Sequence, residues 1–322
     1  MITISICMIV KDEEAVLKRC LDNFSKAADE IIIVDTGSTD GTWSIASQYT
    51  DKIYPYIWKG DFADARNFSF SKATMDYILC IDADEVLDNE NLEKLLCLKK
   101  VLLPEIDIVQ MYYTNQLEYN TVYNYDKEYR PKLYKRVRHF IFEDPIHEVV
   151  RMEPVVYDSE IEILHKPQGL HAQRDFGGFL RLFDKEGKLP KRLHNMYAKE
   201  LFIAGTEGDF LNAIPVFEHT LIDCHAGLDT LQEAFLVLAH AYRMQKDVVL
   251  FFKYAMKLVC MEGCSEICCE LGDFYAEQDD LEEAQLWYYN AIHETSCMLS
   301  IEYQNNYPQS QLDKINSPVT NS

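Results

Sequence analysis

Tyr77-Ile-Leu-Cys-Ile-Asp82-Ala-Asp84-Glu85 is the stretch on which the fold turns. The run from Tyr77 to Ile81 carries no charge and reads as a strand buried on both faces, the kind found in a sheet covered by helices. Three carboxylates within four positions follow at once. Crowding like charges at the end of such a strand is costly unless a cation binds them. In extended backbone Asp82 and Asp84 point to the same side, so both can reach one metal ion. A solvated strand end, or the acidic first turn of a helix, is the plainer alternative. The wholly apolar strand before the charges weighs against it, because it sets them at the mouth of a crevice.

Upstream, short apolar runs alternate with amphipathic segments, the pattern of a parallel sheet with crossover helices. Strands are expected at Ile2 to Val10, Glu30 to Asp35, Lys52 to Trp58 and Tyr77 to Ile81. Helices are expected at Glu13 to Phe24, Gly41 to Gln48 and Phe62 to Ala73. In such a sheet ligands bind beyond the carboxyl ends of the strands, so residues just after Val10, Val34 and Ile81 should converge. Asp35 closes the second of these strands and is followed by Thr-Gly-Ser-Thr-Asp-Gly-Thr42. Gly37 and Gly41 permit a tight turn with room for a ligand, although such a loop is equally a sound strand-to-helix connection. In Asp61-Phe-Ala-Asp64-Ala-Arg66-Asn67, Arg66 offers a guanidinium suited to a diphosphate, or a surface ion pair with Asp64.

The chain of 322 residues has 48% hydrophobic and 12% aromatic residues, enough for more than one core. Its 31 basic and 53 acidic side chains give a net charge of -22, which would repel a nucleic-acid backbone or an anionic membrane. An anionic small ligand would need a divalent cation or a local basic group. Met1 to Val10 is apolar but short and lacks a basic flank, so it reads as a strand and not as a signal peptide. No segment reaches the roughly 20 apolar residues of a membrane span. A soluble, cytoplasmic protein is expected. The ten cysteines are scattered, and the group Cys260, Cys264, Cys268 and Cys269 contains no CxxC pair, so free and mostly buried thiols are expected over zinc ligands.

From Asp107 to His165, tyrosine, valine and isoleucine with basic interruptions indicate further strands and long loops over the crevice. After Gly169 three segments align: Glu207 to Leu221, Gln245 to Val259 and Gln278 to Ile292. Asp209 to Asp247 is 38 residues and Asp247 to Asp280 is 33, near the period of about 34 of tetratricopeptide helix pairs. Leu238, Ala239 and Tyr242 match Leu271, Gly272 and Tyr275. The chain therefore divides into an α/β domain at 1–168, a tetratricopeptide-like helical domain at 169–300 and a polar tail at 301–322, expected to be loosely ordered.

Met8-Ile-Val-Lys-Asp12-Glu13-Glu14, Ile33-Val-Asp35-Thr-Gly-Ser-Thr-Asp-Gly-Thr42, Phe62 to Asn67 and Ile81-Asp-Ala-Asp-Glu85, in that order, resemble the motifs of family 2 glycosyltransferases. The resemblance covers residues 1 to about 165. It implies a GT-A fold with a Rossmann-like mixed central sheet, inversion at the anomeric carbon, a nucleotide-sugar donor such as a UDP-sugar, and Mg²⁺ or Mn²⁺ at the DxD-type motif. Carried over by position, Asp35 would contact the nucleoside, Arg66 the base or diphosphate, Asp82 the ribose or metal, and Asp84 the metal, with Glu13 also in the donor site.

Arg130-Pro-Lys-Leu-Tyr134 and Phe142-Glu-Asp-Pro-Ile-His147-Glu148 also resemble one branch of that family, although Glu143-Asp144-Pro145 stands where the branch usually has a glycine. An inverting transfer requires a group that takes the acceptor proton. Glu148 and then Asp144 are the candidates, with His147 a metal ligand or an acceptor-site group. His165 is a further ligand candidate, although lone histidines after strands are more often structural. The acceptor implied is a protein, peptide or cell-surface glycan, and the repeats would recruit it or dimerise the enzyme. Two other readings compete. An interaction protein with a degenerate α/β domain is opposed by the intact Asp35, Arg66, Asp82 and Asp84. A nucleotidyltransferase should carry a glycine-rich basic loop where Lys11-Asp12-Glu13-Glu14 stands.

Overall fold

The computed structural model describes residues 1–114, 127–150, 152–166 and 172–316. The chain separates into two compact units, Met1–Leu170 and His171–Ser322. The first begins β1 Ile4–Val10, α1 Glu14–Phe24, β2 Glu30–Asp35, α2 Thr42–Ala46, β3 Ile53–Pro55, α3 Phe62–Phe70 and β4 Tyr77–Cys80. It continues through β5 Glu85–Val86, α4 Asn89–Val101, β6 Ile108–Thr114, β7 Lys127–Lys135, β8 Phe142–Glu143, β9 Val149–Val150 and β10 Val156–His165. Among the described residues one sheet runs β3-β2-β1-β4-β7-β6-β10-β5, and β8 pairs with β9 in a separate hairpin. The first four strands are parallel, β7 is antiparallel to both neighbours, and β10 runs parallel to β6. This is the mixed, Rossmann-like sheet that the resemblance implied.

Period-2 alternation decides which residues face which layer. Ile4, Ile6, Met8 and Val10 of β1 pack with Leu17, Leu21 and Phe24 of α1 and with Leu92, Leu95 and Leu98 of α4. Cys7, Ile32, Ile78 and Cys80 form a second apolar layer with Ala63 and Phe70 of α3 and with Phe140 and Phe142. Covered on both faces, β2 and β4 are buried at every position, which accounts for their uninterrupted apolar runs.

The second unit holds α5 Ala172–Glu186, α6 Lys191–Ala204, α7 Glu207–Ile222, α8 Leu228–Met244, α9 Val248–Val259, α10 Ser265–Glu277, α11 Leu281–His293 and α12 Asn306–Asn316. The aligned aspartates explain two helix starts, since Asp247 and Asp280 are N-caps whose side chains accept from the Leu250 and Glu283 N–H groups. In α7 the cap is Thr206, and Asp209 closes a capping box with it. At Gly272 an added Cβ would lie 2.7 Å from the Tyr288 ring, so this contact between α10 and α11 demands glycine. All ten cysteines are free. The expectation of a loosely ordered stretch beyond Glu302 is corrected as far as Asn316, and residues 317–322 of that stretch lie outside the described residues. Tyr303, Tyr307, Leu312 and Ile315 pack on the core of Cys268, Cys269, Ala284, Tyr288 and Ala291. Within the helix Asn306–Asn316, Tyr307, Leu312 and Ile315 give this polar segment an apolar face. No helix among the described residues is long and apolar enough to cross a membrane.

Candidate active site

Val10 and Asp35 are register partners, so β1 and β2 end at one level. Their following loops are sewn together. Asp12, at φ 54°, accepts from the Thr39 N–H at 2.7 Å, and the Asp12 N–H donates to Ser38 Oγ at 3.0 Å. The Glu13 N–H donates to Thr42 Oγ1 at 2.6 Å, and Glu14 accepts from the Gly41 N–H. Asp35 is buried, and its Oδ1 accepts from the Gly37 and Ser38 N–H groups at 2.8 and 2.7 Å. Gly37 takes φ 105°, a conformation that glycine adopts without a steric penalty. The loop thus holds Asp35 in one orientation at the crevice edge.

α3, capped by Asp61, presents Arg66 toward the end of β4. Its Nε donates to Glu148 Oε1 at 2.6 Å, Nη2 forms an ion pair with the same oxygen at 2.6 Å and lies 3.6 Å from Asp82 Oδ1, and Nη1 donates to the Cys80 thiol. Asp64, the surface partner weighed for Arg66, instead takes Lys59 at 2.6 Å. Burial would raise the pKa of Asp82, but Arg66 and then Lys132, His165 and Arg130 draw it down to about 2. The Asp82 side chain is 48% exposed, so solvent screens part of that attraction. Asp82 is therefore an ionised carboxylate at the open edge of a cationic cluster.

Asp84 differs from it. Its side chain is only 13% exposed, and Oδ2 lies 3.1 Å from His165 Nε2. Its buried Oδ1 has no hydrogen-bond partner among the described residues. A buried carboxylate oxygen without a donor is costly, and a hard divalent cation suits both that oxygen and the neighbouring imidazole. The observed residues fit such an ion. The third carboxylate of the run, Glu85, is fully buried, accepts from Lys132 Nζ at 2.5 Å and is pushed up by burial against the pull of that lysine.

The structure thus brings Asp35, Arg66, Asp82, Asp84 and Glu148 to one sheet edge. Asp144 and His147 lie in the β8–β9 hairpin with left-handed backbones of φ 71° and 49°. The imidazole set beside Asp84 is that of His165. The sequence reading left His165 undecided and overlooked Lys132. A proline inside a strand pattern, Pro131, was the available signal that this stretch is irregular.

Residues 5–155 match the model of Glycosyl transferase family 2. A TPR repeat-containing protein of Synechococcus elongatus is 46% identical over 87 residues, 27% of this chain and 22% of that protein. The SPbeta prophage-derived glycosyltransferase SunS of Bacillus subtilis is 32% identical over 169 residues, 49% of this chain and 36% of that protein. The lipopolysaccharide core biosynthesis glycosyltransferase LpsC of Rhizobium meliloti is 35% identical over 108 residues, 32% of this chain and 36% of that protein. The matched part spans little more than a third of the length of these relatives at most. The family match, the ordered motifs and the mixed sheet agree: the N-terminal unit is similar to glycosyl transferase family 2 and carries the mixed sheet expected of a GT-A fold, and a helical unit follows.

Proposed function

We propose that the chain is an inverting, metal-dependent glycosyltransferase that moves a sugar from a nucleotide-sugar, a UDP-sugar in the first instance, to a protein, peptide or glycan acceptor. The observation that carries the reading is the buried Asp84, with one oxygen at His165 and the other without a donor. Asp84 and His165 would hold Mg²⁺ or Mn²⁺, with Asp82 on the ribose or the metal. When bound, the ion neutralises charge that develops on the departing diphosphate. Asp35 and Glu13 line the nucleoside side, and Arg66 meets the diphosphate.

Glu148 is the first candidate for the base and Asp144 the second. The Arg66 Nε hydrogen bond and the Nη2 ion pair both fall on Glu148 Oε1. A diphosphate that draws the guanidinium away would leave the carboxylate free to take the acceptor proton. His147 belongs to the acceptor side or to the metal shell. The helical unit, read as tetratricopeptide-like over 169–300, recruits the acceptor or pairs two copies of the chain, and the reading places the enzyme in the cytoplasm. Purified protein is screened with nucleotide-sugars and Mn²⁺ for nucleotide release. Asp84→Ala is expected to lose at least about a hundredfold in metal-dependent turnover. Full turnover in that variant would sink the assignment.

A further inference from the structure

Lys132 and Glu85 form an ion pair sealed inside the sheet edge that presents Asp82 and Asp84. Glu85 is fully buried and Lys132 is 7% exposed. Removing two charges from water is costly, and an apolar pair of similar volume often serves stability as well. Its value is therefore sought in geometry.

The geometry is specific. Lys132 Nζ donates to Glu85 Oε1, while Glu85 Oε2 accepts from the Asp82 N–H at 3.3 Å and the Glu85 N–H donates to the Asp82 carbonyl at 3.2 Å. The Glu85 carboxylate and backbone thus close the turn that carries both aspartates. On its far side the turn is tied to β10, where His165 is the register partner of Glu85 and the Lys166 N–H donates to the Asp84 carbonyl at 3.0 Å. Lys132 also lies 5.0 Å from the centre of the Tyr113 ring, which sits 5.1 Å from the His165 ring at a tilt of 32°.

The backbone around Lys132 is irregular in a way that serves this placement. Along β7, Leu133 pairs with Val109 and Pro131 with Gln110, so Lys132 is the extra residue of a β-bulge. A bulge re-aims a side chain relative to its strand, and Pro131 supplies no N–H to the ladder.

We propose that Lys132 and Glu85 are a positioning pair, which holds the Asp82–Asp84 turn and, through Tyr113, the His165 ring in the arrangement that takes a divalent cation and a diphosphate. This rests on the metal-dependent reading above. The full chain is titrated with MnCl₂ alone and with MnCl₂ plus UDP, following free Mn²⁺ by its electron spin resonance signal, with thermal melting in parallel. Glu85→Gln combined with Lys132→Met removes both charges and keeps the volume, so the double variant should melt close to wild type. Its Mn²⁺ affinity should fall by about tenfold or more, the size usual for losing a group that orients a metal ligand. Lys132→Arg should recover most of the loss. Unchanged Mn²⁺ affinity in a folded double variant overturns the positioning role alone. Failure of the wild type to take up Mn²⁺ in either titration overturns the metal-dependent reading and this inference with it.

Discussion

Glu148 shows how far a residue's partner decides what it can do. A carboxylate whose one oxygen takes a hydrogen bond and an ion pair from the same guanidinium is held in place and is a poor proton acceptor until that guanidinium finds another anion. Glu148→Gln removes the negative competitor for Arg66 while keeping its shape. Turnover should fall by about a hundredfold or more, the usual contribution of a general base. Binding of the nucleoside diphosphate, measured by calorimetry with Mn²⁺, should hold or tighten. Weaker binding together with normal turnover would remove Glu148 from the mechanism. At this scale the motifs exposed Asp35, Asp82 and Asp84 because each is a carboxylate just after an apolar strand, and Arg66 because a guanidinium suits a diphosphate in so acidic a chain. The same reasoning was blind to Lys132 and left His165 open, because each acquires its role from a strand distant in sequence.

Two elements carry distinct stability predictions. Glu30, at the start of β2, accepts from Ser5, Lys52 and both the N–H and hydroxyl of Thr74. Burial raises its pKa, but Lys52, Ser5 and Thr74 outweigh that and lower it to about 2. Between its ordinary range and about 2 the unfolded chain therefore binds more protons than the folded one. The contribution of this carboxylate is complete above pH about 4.5 and is lost as pH falls through about 2. Glu30→Gln should cost on the order of 2 kcal/mol at pH 7, with the gap to wild type closing in denaturation curves taken toward pH 2.

In the helical unit, Gly272→Ala tests the close contact of α10 with α11. The Tyr288 ring cannot swing aside freely, since its hydroxyl donates to Asp273 at 2.6 Å. Better helix propensity returns about 1 kcal/mol, but overpacking costs about 1–3 kcal/mol. A lower melting temperature is expected, and a higher one would show that the ring yields.

Over the whole molecule, a net charge of -22 sets the electrostatic problem that an anionic donor meets. Local neutralisation by Arg66 and a divalent ion has to overcome a repulsive background. Chelation by EDTA should therefore abolish nucleotide-sugar binding as well as turnover, and Mn²⁺ or Mg²⁺ should restore both. Donor affinity that survives EDTA unchanged would show that Arg66 alone suffices.

Sequence alone determined the α/β order of β1 to β4, the level at which their ends meet and the helical character of the second unit. These follow from local periodicity and from caps such as Asp247 and Asp280, which act within a few residues. It missed the helix Asn306–Asn316, whose polar composition concealed a narrow apolar face that exists only against α10 and α11. Only the tertiary structure decided that His165 meets Asp84, that Arg66 meets Glu148 and that Lys132 reaches Glu85 from a bulge. Each pair joins residues 47 to 82 positions apart, and no local rule of period or propensity acts over that distance; pairing of the strands and packing of α3 against β8 do.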